Sequence, residues 1–202
     1  MKLAKIAVLV SGGGTNLQAL IDAQNNGIIS SGKISLVISN NEDAFALKRA
    51  EKAGIKTAVI TKKQFDFDKQ KFEEAIINKL KEEQIDFIVL AGFMLILSEN
   101  FIKQFDKKII NVHPSLIPSF CGEGFYGLKV HEAALNYGVK VTGATVHFVN
   151  EIPDGGKIIL QKAVAIEEND TPEILQKRVM EQAEWLLLPK ATEMVSASLI
   201  KE

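Results

Sequence analysis

A chain of 202 residues with 47% hydrophobic and 24% charged residues can bury one substantial core, and its formal net charge of −1 excludes a surface built mainly to hold a polyphosphate backbone. No apolar run reaches the ~18 residues of a membrane span, and the single cysteine, Cys121, cannot pair within the chain. The N-terminal MKLAKIAVLVSGGG carries no small-residue cleavage site, so we expect a cytoplasmic protein of monomeric or homodimeric state that acts on small molecules, with neither nucleic acid nor membrane as partner.

The apolar run KIAVLV reads as a buried strand, and SGGGTNLQALIDAQNNG as a glycine loop feeding an amphipathic helix. KISLVISN is a second strand, DAFALKRAEKAG a helix with a glycine stop, and IKTAVIT a third strand. The helical DKQKFEEAIINKLKEEQ, the strand IDFIVLAGF, a short helix in LSENFIKQF and the strand KIINVH follow. Apolar strands alternating with helices predict a mainly parallel sheet covered on both faces. After Pro118 the segment SFCGEGFYG reads as a loop and KVHEAALNYG as a short helix. VTGATVHFV and GKIILQKAVAI alternate apolar and polar residues around NEIPDGG, which predicts an antiparallel extension. A last helix is expected from about Thr171 through Leu188, capped by Thr171 and Pro172. The fold class is therefore α/β and Rossmann-like, a mainly parallel twisted sheet with an antiparallel C-terminal extension, in a single domain over 1–202.

In SGGGTNLQ, Gly12, Gly13 and Gly14 let backbone amides approach an anion at a helix N-terminus. The stretch lacks the lysine of a P-loop, and Leu17 stands where a dinucleotide fingerprint needs its third glycine. A phosphate seat and a tight turn capped by Thr15 or Asn16 both fit. In open α/β sheets this first loop borders the usual ligand crevice, which favours the first reading.

Asn111 and His113 lie two apart at a strand end, so they project to one side. An amide can donate to an oxyanion and an imidazole can move a proton near neutral pH, yet hydrogen bonding that closes a strand accounts for the pair as well. No GxSxG elbow supports a covalent acyl-enzyme, and Cys121 has no nucleophile context. Asp154 in IPDGG is a turn residue that reaches His113 only if the hairpin packs beside this strand; its carboxylate would then favour imidazolium. His147 is expected on a half-buried strand, His131 in solvent on a short helix and Ser115 in loop structure. The histidines and Cys121 lack zinc spacing, so no catalytic metal is expected.

The ordered segments SGGGTNLQ, LAGFMLILS, INVHPSLIP, GATVHFVNEIPDGG and EQAEWLLLP resemble the phosphoribosylglycinamide formyltransferase family of de novo purine synthesis, from about residue 3 to residue 190. The resemblance implies the formyltransferase fold and direct formyl transfer from 10-formyltetrahydrofolate, as cosubstrate, to the amine of 5-phosphoribosylglycinamide. It assigns catalysis to Asn111, His113 and Asp154, and the phosphoribosylglycinamide to Gly14, Thr15, Asn16 and Glu184. The folate would meet Met94, Leu95, Ile96, Leu97, Asn111, Val149, Asn150 and Asp154, with Lys69 as the matching basic residue. Leu95 stands where much of the family has arginine, and SFCGEGFYGLKVH is longer and more aromatic than usual. Phe120, Phe125 and Tyr126 are expected to pack that loop down. A formyltetrahydrofolate hydrolase and a methionyl-tRNA formyltransferase share the resemblance; the expected single domain speaks against both, since each carries a further domain. A noncatalytic phosphate-binding module is the reading from another class.

Overall fold

The computed structural model describes residues 2–200. Five strands run parallel: β1 (Ala4–Val10), β2 (Gly32–Ser39), β3 (Lys56–Val59), β4 (Phe87–Leu90) and β5 (Ile109–His113). Two more, β6 (Val141–Phe148) and β7 (Ile158–Ala165), extend the sheet antiparallel, giving the order β3-β2-β1-β4-β5-β6-β7. The chain builds outward from β1 to β3 and then returns to β4 on the other side of β1. Strand order therefore reverses between β1 and β4, the position beside which open α/β sheets usually bind their ligands.

Strand alternation divides the interior into two cores. Ile6, Val8 and Val10 of β1 pack on one face with Leu17, Leu20 and Ile21 of α1 (Thr15–Asn25), with α2 (Phe45–Lys52) and with the C-terminal helices. Ala7 and Leu9 pack on the other with Phe72, Ile76 and Leu80 of α3 (Lys69–Glu82) and Phe101 and Ile102 of α4 (Glu99–Gln104). A short helix, α5 (Leu128–Tyr137), precedes β6. No helix among the described residues is long and apolar enough to cross a membrane.

Three local expectations change. Neither Thr15 nor Asn16 caps α1: Gly14 takes the N-cap position at φ 73, without a side-chain cap. The C-terminal helix does not end at Leu188. It runs as α6 (Pro172–Val179), a π turn (Met180–Glu184) and α7 (Trp185–Leu199), with Pro189 inside α7. Thr171 does cap α6, accepting from the Ile174 N–H at 3.3 Å. His131 is fully buried on α5 rather than solvated, because α5 lays it against the interior of the site described next.

Candidate active site

A cavity of about 600 Å³ opens at the carboxyl ends of β4 and β5. Its wall joins Gly92–Leu97, Asn111 and His113, the loop around 122–127, the hairpin turn 149–154, and Asn16, Gln176, Met180 and Glu184. Residues distant in sequence thus meet where the parallel sheet gives way to its antiparallel extension.

The register of β5 against β6 sets the centre. Asn111 pairs with His147 and His113 with Thr145, and a bulge between Val146 and His147 interrupts the β6–β7 ladder at the site. His113 Nδ1 lies 3.4 Å from Asp154 Oδ2, and His147 Nε2 lies 3.5 Å from Asp154 Oδ1. His147 Nδ1 donates to the Phe148 carbonyl at 2.8 Å, and its Nε2 stands 3.4 Å from Asn111 Nδ2. His113 Nε2 donates to the Phe120 carbonyl at 2.8 Å, leaving Nδ1 as the atom that takes a proton opposite Asp154. Asp154 adopts φ 56 in its turn, a conformation that aspartate tolerates, and accepts from the Gly122 N–H at 2.9 Å.

Asp154 does favour imidazolium at His113, but that does not set the net direction. Burial pushes the His113 pKa down and outweighs the opposing pull of Asp154 and the Phe120 carbonyl, with His147 adding to the fall. The ring is therefore held more neutral than the sequence expectation had it. Burial works to raise the Asp154 carboxyl, yet His147, His113 and the Gly122 N–H together hold it below its ordinary value. His131 is pushed down to about 4 by burial and then by His113, and neither of its ring nitrogens has a hydrogen-bond partner among the described residues.

Of the glycine-loop residues, Asn16 lines the cavity and Gly14 and Thr15 do not. Asn16 Nδ2 donates to Glu184 Oε2 at 2.7 Å, and burial lifts the Glu184 carboxyl to about 7 against that hydrogen bond. Glu184 ends the π turn, a local widening of the helix that occurs often at functional sites. On the opposite wall, the Met94 N–H donates to Ser11 Oγ at 2.9 Å, tying the 94–97 loop to the end of β1. Met94 and Ile96 are 55% and 60% exposed, which leaves an apolar surface open to a ligand. Leu95, Leu97, Val149 and Asn150 also line the cavity. Lys69 does not: it lies on the first turn of α3, 3.8 Å from Glu73, whose carboxylate in turn holds Ser98.

Phe120 packs edge-on against Phe125 and Tyr137, as expected of a loop packed down, whereas Tyr126 is half exposed beside the cavity. Phe120 has φ 48, uncommon for a bulky residue, and this turn directs its carbonyl onto His113. Ser115 is loop structure: its hydroxyl donates to the Ser119 carbonyl and its carbonyl accepts from Thr145. The Cys121 thiol is pushed up by burial and then by Asp154, away from nucleophilic use. Among the described residues, no group of three or more His, Cys, Asp and Glu side chains is arranged to hold a metal ion. Sequence reasoning missed His147 as a site member, because only the β5–β6 register places it opposite Asn111.

Residues 4–192 match the family described as formyl transferase. The chain belongs to the formyl transferase family. It is 46% identical over 200 residues to the human trifunctional purine biosynthetic protein adenosine-3, covering 99% of this chain and 19% of that protein, so it spans about a fifth of the length of that relative. It is 44% identical to a phosphoribosylglycinamide formyltransferase of Haemophilus influenzae, covering 93% of this chain and 84% of the relative. The crystal structure of glycinamide ribonucleotide transformylase 1 from Symbiobacterium toebii superposes with a TM-score of 0.90 at 37% identity, over 97% of this chain and 89% of that one. The mixed seven-stranded sheet is thus that of the formyl transferases.

Proposed function

We propose that the chain transfers the formyl group of 10-formyltetrahydrofolate to the amine of 5-phosphoribosylglycinamide, a step of de novo purine synthesis. The observation that carries this reading is the union of Asn111, His113 and Asp154 in one cavity that also reaches Asn16 and Glu184 on one side and the 94–97 loop on the other. The names of the relatives support formyl transfer to phosphoribosylglycinamide, and the family supports a folate-type donor.

The amine nitrogen attacks the formyl carbon, forming the new C–N bond and a tetrahedral oxyanion. Asn111 Nδ2 and the His113 Nε2–H face that oxygen, once the Phe120 carbonyl gives up the latter. The amine proton passes to the leaving N10 through His113 or water, the C–N10 bond breaks, and tetrahydrofolate departs. Asp154 stabilises the His113 imidazolium that forms on the way. Asn16, Glu184, Gly14 and Thr15 hold the phosphoribosylglycinamide, with loop amides at the phosphate. Met94, Leu95, Ile96, Leu97, Val149 and Asn150 take the folate. The reading needs small-molecule substrates only and sets the activity in the cytoplasm.

The test follows tetrahydrofolate formation by absorbance with and without phosphoribosylglycinamide. Amine-dependent turnover is expected. Turnover that ignores the amine would replace transfer with hydrolysis, and phosphate-ligand binding without turnover would leave a binding module.

A further inference from the structure

We propose that Lys129 holds the acidic tail of the formyl donor, its ammonium pairing with a glutamyl carboxylate at the cavity mouth; this rests on the reading of the donor as a folate. Lys129 is the one lysine or arginine among the described residues that line the cavity. The other charged residues of that wall, Glu123, Glu151, Asp154 and Glu184, are all acidic, so a ligand carboxylate has a single cation to meet.

The ammonium is positioned rather than free. Lys129 Nζ donates to Tyr126 Oη at 3.0 Å and sits 4.5 Å from the centroid of the Tyr126 ring. Both side chains are exposed, so the charge stays hydrated while the ring and the lysine stem border the cavity. The same segment touches the apolar wall: a Cβ at Gly127 would lie 3.8 Å from Met94 Cε. Aromatic surface, exposed methionine and one ammonium in a row suit a ligand in which an aryl group precedes a carboxylate. The aminobenzoyl-glutamate end of a folate has that order. The phosphoribosyl substrate instead meets Asn16 and Glu184 on the other side, in the reading above.

Fluorescence titration with tetrahydrofolate and with tetrahydropteroic acid methylamide, which has the same rings and no carboxylate, separates the acidic tail from the rest of the donor. The unaltered chain should bind tetrahydrofolate about threefold to fivefold more tightly than the methylamide, the range of an exposed ion pair. Lys129→Gln should erase that difference, Lys129→Arg should restore it, and about 0.5 M salt should erase it in the unaltered chain. Equal weakening of both folates in Lys129→Gln would overturn the assignment, as would weakening of phosphoribosylglycinamide alone or no change at all. Because binding is read without turnover, absence of amine-dependent transfer would count against the proposed reaction and leave this comparison intact; a chain that bound neither folate would sink both.

Discussion

Burial raises the Glu184 carboxyl from 4.5 to about 7, so between those values the folded chain keeps a proton that the unfolded chain releases. Stability contributed by that proton is complete below pH 4.5 and is lost as pH rises through about 7. Above it a buried carboxylate has Asn16 Nδ2 as its hydrogen-bond partner. Glu184→Gln keeps the acceptor for Asn16 and removes the charge. At pH 8 it should be more stable than the unaltered chain by on the order of 3 kcal/mol, or roughly 5 to 10 °C in Tm, with the gap closed by about pH 4. Calorimetry at the two pH values checks this, and an equal gain at both would mean that the carboxyl does not titrate as its burial implies. The same change should raise KM for phosphoribosylglycinamide, since a site kept destabilised for binding gains stability when its charge is removed. Asn111→Ala acts the other way. It should lower kcat by about 10²-fold to 10³-fold through loss of an oxyanion donor, with Tm moved by only a few degrees; near-native turnover would remove Asn111 from the mechanism. That Asn111 and His113 point into one cavity was legible because a two-residue spacing at a strand end carries geometry locally, whereas spacing left Asp154 a turn residue, and its meeting with His113 waited on how the hairpin packs. His147 and His131 were not legible as site members. Their places depend on the β5–β6 register and on how α5 packs, neither of which local periodicity encodes.

At the scale of elements, the glycine loop shows how one motif serves both stability and binding. Gly14 has φ 73, and a Cβ there would come 2.6 Å from Ala46 Cβ, so the loop abuts α2 without room for a side chain. At Gly12 a Cβ would meet nothing within 4 Å, and the Gly12 carbonyl still accepts from the Ala46 N–H at 3.0 Å. Gly14→Ala should therefore cost at least the ~1–2 kcal/mol of a left-handed alanine and lower Tm, whereas Gly12→Ala should leave Tm near its original value and weaken phosphoribosylglycinamide binding. Thermal melts and KM for the two variants decide it; matched losses of Tm would show that both glycines serve the turn alone. The strands, α1 to α5 and the hairpin were readable from alternation, apolar spacing and turn residues. The π turn was not, because one widened turn leaves the apolar spacing of α6 and α7 intact on either side. Nor was the Gly14 cap, since it answers to contact with α2 rather than to the usual polar capping preference.

For the molecule as a whole, the sheet separates folding from chemistry across a single backbone. Ile110 and Asn111 are neighbours on β5, yet Ile110 is fully buried in the core that contains α1 and the C-terminal helices, while Asn111 faces the cavity. Ile110→Ala should destabilise the fold by about 2–5 kcal/mol, as large-to-small changes in packed cores do. The folded fraction should keep its kcat within about twofold, because the removed atoms lie on the other side of the sheet from the reacting groups. The site itself draws on β5, on β6, on the 149–154 turn, on α1 and on the π turn, so no part of the chain carries it alone. Urea titrations followed in parallel by far-ultraviolet circular dichroism and by residual turnover should accordingly give coincident midpoints, both shifted to lower urea in Ile110→Ala. Were turnover lost well before the dichroism, the weak point would be the 119–127 segment that reaches His113 and Asp154 through Phe120 and Gly122, and the site would melt as a local unit instead of with the sheet.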